Sequence, residues 1–253
     1  MVTSNLIGGL GNKLFQIATT YSLSLDNNTN CVFEPTNESN DHNNISLYND
    51  NILRNVVMGP TIVNHHYMEP NFHYNEIPYM NNQHLMGYFQ SEKYFTHNRG
   101  KVLELFSIDD ISKKLISDKY GGVLSGNTCS LHVRRGDYLR LPNHHPVCDL
   151  SYYNESIELF SGDTTFLVFS DDLPWCREVF SGNFIFIDGN VDYIDMWLMS
   201  LCKNNIIANS SFSWWGAWLG SPEGRTVISP TKWFGSAVSH NTKDLIPSNW
   251  LRI

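Results

Sequence analysis

The sequence predicts an α/β protein built on parallel sheets, and three observations carry that prediction. A short strand at residues 2–7 runs into Gly8-Gly9-Leu10-Gly11-Asn12 and then a helix, the opening unit of a Rossmann-like domain. From about residue 128 onward, apolar strands alternate with helical patterns, as in a parallel sheet covered by helices on both faces. Between these regions the chain is punctuated by Gly121-Gly122 and Ser125-Gly126-Asn127. That punctuation divides it into domains at 1–121 and 122–253.

The first helix shows in Leu14, Ile17, Ala18, Tyr21 and Leu25, spaced along one face. Residues 26–55 are rich in Asn and read as a short strand at Cys31–Glu34 followed by a long loop. An island of aromatics occupies Tyr67–Tyr79, the run LMGYFQSEKYF follows at 85–95, and a helix is expected over Asp109–Asp118. In the second half, strands are expected at Cys129–Arg134, Thr165–Ser170, Phe184–Ile187, Asn205–Ala208 and Thr226–Ser229. Helices are expected at Ser151–Phe160, Trp175–Phe180, Asp192–Lys203 and Phe212–Leu219. The third of these carries acids in its first turn and a lysine at its end, matching the helix dipole.

Composition removes several function classes. The chain has 253 residues, 42% of them hydrophobic, enough for one large or two small α/β domains. Its net charge of -8 argues against a broad nucleic-acid face, while leaving room for a local basic pocket. The five cysteines are scattered and odd in number, with no CxxC pair, and read as buried thiols of a reducing compartment. No HExxH or clustered histidines call for a metal. The stretch MVTSNLIGGLGNKLF lacks a basic leader and a long apolar run, and no segment approaches ~18 apolar residues. A cytoplasmic protein with no membrane span is therefore expected. Triplets such as Asn37-Glu38-Ser39 then follow from high Asn content rather than glycosylation.

Four stretches could carry chemistry. In LHVRRGDYLR at 131–140, alternation puts Leu131 and Val133 on one face, and His132 and Arg134 on the other. Arg135 then points away from Arg134. Two arginines at the C-terminal end of a parallel strand sit where α/β sheets bind ligands, and their planar forks suit phosphate. One is expected to face ligand while the other braces Asp137 or the opposite layer; a purely structural Arg–Asp network is the alternative. The tripeptide Arg135-Gly136-Asp137 could also be an adhesion ligand, a reading that the missing secretory signal opposes. Asp171 and Asp172 close the next strand without a D-x-D metal spacing. They can accept hydrogen bonds from a guanine, cap the following helix, or divide these tasks. Asn209-Ser210-Ser211-Phe212 offers hydroxyls and free N–H groups as an anion seat, with Phe212 as a stacking face. Trp214 and Trp215 beside it suit core packing. The glycines of GGLGN allow close backbone approach, as an anion seat or merely as a tight turn. They match neither G-x-G-x-x-G nor a P-loop.

Taken together, these stretches resemble the bacterial-type α-1,2-fucosyltransferases of glycosyltransferase family 11. The matching runs are GGLGNKLFQIA at 8–18, GYFQSEKYF at 87–95, LHVRRGDY at 131–138, Tyr152-Tyr153, VFSDDLPW at 168–175 and LMSLCKNNIIANSSFSWWGAWL at 198–219. They stand in the family's order and span nearly the whole chain. The resemblance implies a GT-B-like fold, with two Rossmann-like domains and the nucleotide-sugar site in the cleft between them. It implies inverting transfer of fucose from GDP-fucose to the 2-hydroxyl of a galactose-terminated glycan, with no metal or other cofactor. By the same resemblance Arg134 binds the diphosphate, supported by His132 and Asp137. Gly9, Gly11 and Asn12 lie near the β-phosphate and sugar. Asp171 or Asp172 reads guanine, and Ser210, Ser211 and Phe212 hold phosphate and base. Lys13 stands where the family usually has Gln, so an altered acceptor or phosphate contact is one expectation there.

The N-terminal domain would hold the acceptor, and Glu69, Phe72, Tyr74, Gln90 and Tyr94 have the aromatic-plus-polar character of a sugar site. An ordinary aromatic core explains them equally well. Asp137, His145 and Asp149 are candidates for a general base. The enzyme would be cytoplasmic, or peripheral to a membrane carrying its acceptor. Transfer to another linkage or from another GDP-sugar, and a catalytically silent nucleotide-sugar or glycan binder, are the competing readings.

Overall fold

The computed structural model describes residues 1–35, 45–221 and 223–253. Asn37-Glu38-Ser39 and the rest of 36–44 in the Asn-rich stretch lie outside the described residues. The chain forms two compact units, one of Met1–Asp110 with His240–Pro247, the other of Ile111–Ser239 with Ser248–Ile253.

The first unit opens with β1 (Val2–Ser4), shorter than the strand expected at 2–7, and α1 (Leu10–Asp26). Helix α1 is buried around most of its circumference, including polar Gln16, Thr19 and Thr20 as well as Leu14, Phe15 and Ile17. The strand expected at Cys31–Glu34 is reduced to isolated parallel bridges, Val2 to Cys31 and Phe33 to Met58. Two strands that the sequence did not signal, β2 (His65–Met68) and β3 (Gln83–Met86), complete a parallel sheet of order β1-β3-β2. Their sequences, HHYM and QHLM, lack an apolar run, and β2 is largely exposed. A further unexpected helix, α2 (Arg99–Leu105), buries Val102 and Leu105.

Helix α3 (Asp110–Leu124) leads into the second unit, and Gly121-Gly122 lies inside it. The remaining elements are β4 (Thr128–Val133), α4 (Leu150–Glu158), β5 (Thr165–Ser170), α5 (Leu173–Val179) and β6 (Phe184–Phe186). They continue with α6 (Asp192–Leu201), β7 (Asn204–Ile206), α7 (Ser211–Trp218), β8 (Val227–Ser229) and β9 (Leu251–Arg252). All six strands are parallel, in the order β6-β5-β4-β7-β8-β9. Numbered within the unit this is 3-2-1-4-5-6, the Rossmann order, which reverses direction between β4 and β7.

Side-chain alternation sorts the core into two layers. Cys129, Leu131 and Val133 of β4 pack with Phe166, Val168, Tyr152, Tyr153 and Cys176. The even residues serve other contacts: Ser130 Oγ accepts from Asn205 Nδ2 at 2.6 Å, and the His132 ring lies 5.6 Å from Phe212. Helices α6 and α7 approach closely at Gly216, where an added Cβ would fall 2.7 Å from Met199 Sδ. Trp214 and Trp215 are fully buried in α7, as core packing predicts. No helix among the described residues is long and apolar enough to cross a membrane.

Candidate active site

In an open parallel sheet, ligands bind beyond the C-terminal ends of the strands, where strand order reverses. In the second unit that point lies between β4 and β7, and that unit's own motifs, at 131–140, 168–175 and 209–212, lie beyond the strand ends there. Beyond β4 and β5 the parallel register continues. Val133 pairs with Ser170, so the next residues to meet are Arg134 with Asp171, then Arg135 with Asp172. Both contacts form. Arg134 Nη1 lies 2.8 Å from Asp171 Oδ2, and Arg135 Nε lies 2.9 Å from Asp172 Oδ2.

The two arginines differ in their surroundings. Arg134 is flanked by a second carboxylate, Asp137 Oδ1 at 2.5 Å, and lies over the Tyr138 ring at 5.3 Å. A third of its side chain, 34%, stays accessible. Arg135 is only 18% exposed and stacks 4.1 Å from the Trp175 ring centroid. It is tied down by one carboxylate and one aromatic face, so it braces β4 to α5. Asp172 has a second task, accepting from Trp175 N at 3.3 Å to cap α5. Asp171 also has two: besides Arg134 it accepts the backbone N–H of Arg135 at 2.9 Å. A Cβ on Gly136 would fall 2.5 Å from Asp171 Oδ2, which is why the turn has glycine there. The Arg135-Gly136-Asp137 tripeptide is thus consumed by internal contacts, which removes the adhesion reading.

His132 is buried behind Arg134. Burial, with the Arg134 charge adding to it, lowers its pKa to about 3, so the ring is neutral. Among the described residues its Nδ1 has no hydrogen-bond partner. Tyr138, whose pKa burial raises to about 12, donates to Asn209 O at 3.1 Å and carries the stacked ring of His145 at 4.9 Å. Burial also holds His145 below its ordinary pKa, though Asp137 opposes the shift. Asp149 accepts from Tyr152 N and Ser151 Oγ at the start of α4, so it is committed to capping. Ser210 caps α7 by accepting from Phe212 N at 3.3 Å, and Ser211 opens that helix. Asn209 was not singled out from sequence by itself. Its Nδ2 donates to Pro146 O and Trp233 O, fastening two loops to the end of β7. A cavity of about 230 Å³ in this unit is lined by Cys148, Asp149, Tyr152 and Lys232 among others, but by none of the predicted nucleotide-binding residues.

The first unit gathers its own set around the glycine-rich turn. Gly8 has φ +76°, in the left-handed region, and Gly9 is the N-cap of α1. A Cβ on Gly9 would meet no protein atom within 4 Å, so packing does not demand that glycine. Gly11 is buried within α1. Lys13 is completely buried, and its Nζ donates to Gly8 O. The side chain of Asn12 accepts from Gln90 Nε2 at 2.9 Å. Of the proposed acceptor residues, Gln90 and Tyr94 are buried, and Tyr94 OH accepts from Asn75 N at 3.1 Å. Tyr74 packs on Tyr94 with ring centres 4.8 Å apart, while Phe72 stacks on His240 at 4.7 Å. The carboxylate of Glu69 accepts from backbone N–H groups of Tyr88 and Phe89. Among the described residues, no three His, Cys, Asp or Glu side chains are grouped to hold a metal ion.

Comparison with known proteins adds an independent line. A family model described as Glycosyl transferase family 11 matches residues 1–253. An alpha-1,2-colitosyltransferase of Escherichia coli is 33% identical over 293 residues, covering 100% of this chain and 99% of that protein. The O-antigen biosynthesis glycosyltransferase WbnK of Escherichia coli is 32% identical, covering 99% of each. The galactoside alpha-(1,2)-fucosyltransferase 2 of Oryctolagus cuniculus is 25% identical over 87% of this chain and 67% of its own length. Among solved structures, the NodZ alpha-1,6-fucosyltransferase soaked with GDP-fucose superposes with a TM-score of 0.57 at 11% identity. It covers 87% of this chain and 92% of its own. That likeness supports the α/β, GT-B-like fold.

Two predictions follow from the contrast between paired and neutral groups. Arg135→Ala should cost about 2 kcal/mol of unfolding free energy by losing a charged hydrogen bond and the Trp175 stack, with Arg135→Lys losing less. Denaturant unfolding checks both. For His132, the unfolded chain takes up a proton below pH 6.5 that the folded ring refuses until about 3. Its contribution to stability is therefore fully present above pH 6.5 and is lost as pH falls through that window. His132→Gln should shrink the stability lost between pH 6.5 and about 4, as measured by urea titrations at each pH.

Proposed function

From the premise that the chain belongs to glycosyl transferase family 11 and is a glycosyltransferase, we propose that it transfers fucose from GDP-fucose to the 2-hydroxyl of a galactose-terminated glycan. The observation that carries this is Arg134. It stands at the switch point of the Rossmann sheet, partly accessible, with its guanidinium held in place by Asp171 and Asp137. In this proposal the donor diphosphate takes Arg134 as its fixed cation. Asn12, at the glycine-rich turn of the first unit, donates near the β-phosphate and sugar. Ser211 and the start of α7 offer N–H and hydroxyl donors, and Phe212 offers a ring face to the base. Asp171 and Asp172 are already engaged by arginines and by backbone N–H groups. Bracing is therefore the role their contacts support better than reading guanine.

As the bond to the sugar breaks, negative charge grows on the departing diphosphate and positive charge on the sugar ring. Preorganised donors aimed at the growing charge stabilise that transition state without having to reorganise. The acceptor hydroxyl attacks from the opposite face, inverting the anomeric centre. A diphosphate leaves readily, so a weak base suffices. The proposal assigns the neutralisation to Arg134 and N–H groups and needs no metal.

A second reading is favoured by the relative named an alpha-1,2-colitosyltransferase, which matches along the full chain. Colitose lacks one ring hydroxyl of fucose, so either sugar suits the same phosphate-binding chemistry.

Arg134→Ala should lower kcat by about 100-fold or more, the usual cost of losing a charge-stabilising donor, and weaken GDP binding in calorimetry. Unchanged GDP affinity would remove the phosphate assignment. Activity should persist in EDTA; a strict need for added divalent cation would overturn the metal-free step. Linkage analysis of products formed with GDP-fucose and GDP-colitose decides between the two donors.

A further inference from the structure

We infer that Glu69 is a positioning residue: it holds a strained turn at 87–90, through which Gln90 orients the side chain of Asn12. This rests on the donor-side role proposed for Asn12, and it deepens that reading. It also moves Glu69 and Gln90 out of direct acceptor contact.

Backbone geometry is the first observation. Phe89 has φ +52°, in the left-handed region, although it is neither glycine nor Asn. Such a conformation is strained and persists only where its surroundings enforce it. The ring of Phe89 is fully buried, edge-on to Tyr94 at 5.5 Å and stacked with Tyr67 at 6.5 Å, which pins the side chain.

Glu69 supplies the rest of the constraint. Its Oε2 accepts from Tyr88 N at 2.8 Å, and both oxygens accept from Phe89 N at 3.1 Å. Hydrogen bonds to an ionised acceptor are stronger than neutral ones. No lysine or arginine among the described residues forms an ion pair with this half-buried carboxylate. A surface charge would face water; this one is spent on two successive backbone N–H groups. The approach is so close that a Cβ on Gly87 would overlap the Glu69 side chain. From the other side, Gln16 Nε2 donates to Gly87 O at 3.2 Å, while Gln16 Oε1 accepts from Ile7 N at 2.9 Å. The turn is thus clamped between Glu69 and α1.

The next residue delivers the result. Gln90 is 7% exposed and its Nε2 donates to Asn12 Oδ1 at 2.9 Å. With Oδ1 committed, the donor end of the Asn12 amide is fixed as Nδ2. Asn12 itself sits in the first turn of α1, whose preceding Gly8 carbonyl is held by Lys13. Releasing the grip of Glu69 frees the turn, shifts Gln90 and unlocks that amide. Misplacement on the order of 1 Å at a reacting group can cost about 100-fold in rate.

The test compares Glu69→Gln and Glu69→Asp with the native enzyme. Glu69→Gln puts an N–H against one of the turn's N–H groups; Glu69→Asp keeps the charge and shortens the reach. Both should lower kcat with GDP-fucose by about 10- to 100-fold while the acceptor KM changes little. Amide exchange at Tyr88 and Phe89 should speed up in both variants. In an Asn12→Ala background, Glu69→Gln should add almost no further loss. An increase in acceptor KM alone, a fully additive loss with Asn12→Ala, or unchanged exchange at the two amides would each overturn the inference while leaving the transferase reading intact. If the native chain transfers sugar from neither GDP-fucose nor GDP-colitose, the donor reading falls and the positioning role falls with it.

Discussion

The Asp171 carboxylate is the contact on which the second unit's site depends. One oxygen meets the Arg134 guanidinium and the other the backbone N–H of Arg135. That joins the loops after β4 and β5 at the point where each strand has run out of ladder. The pairing needs no special design, since it continues the parallel register by one residue. Successive residues of an extended chain face opposite ways, so continuing by one more residue sends Arg135 to Asp172 on the other side. Two adjacent arginines thereby acquire different fates from one register: one supported but accessible, the other locked beneath Trp175.

Arg134 lies between two carboxylates, which hold its guanidinium before any ligand arrives. Preorganisation of this kind lowers the reorganisation required when charge develops. The carboxylates also lessen its net attraction for an anion, so the N–H groups at the start of α7 in the same unit matter as further donors. The first unit uses carboxylate in another way, with Glu69 opposing backbone strain at Phe89 rather than a cation. In each unit these carboxylates act on the protein's own donors.

Much of the second unit was legible in the sequence because its strands are short apolar runs with alternating helices. The alternation in LHVRR placed Arg134 and Arg135 on opposite faces, and their different partners bear that out. The capping role of Asp172 was legible from the Leu-Pro-Trp that follows it. What Asp171 does was harder to read, because it depends on the register with β4, a relation between residues far apart in sequence. The first unit was less legible. HHYM forms a strand by pairing with QHLM rather than by hydrophobic pattern, and no local signal marks either. Gly121-Gly122 looked like punctuation, yet helical hydrogen bonding runs through the pair. The φ of Phe89 has no sequence signature at all, since the residue is a poor choice for that conformation. The half-buried Glu69 carboxylate, the packed Phe89 ring and Gln16 together explain why the turn holds.

The division of labour between the two arginines is the central claim, and guanidinium NMR reads it directly. Nitrogen-labelled protein titrated with GDP gives resolved side-chain signals for Arg134 and Arg135 in one spectrum. The account predicts that the Arg134 signals move and slow their exchange with solvent as GDP binds, while those of Arg135 stay in place. Movement confined to Arg135, or saturation with GDP that leaves Arg134 unmoved, would contradict it.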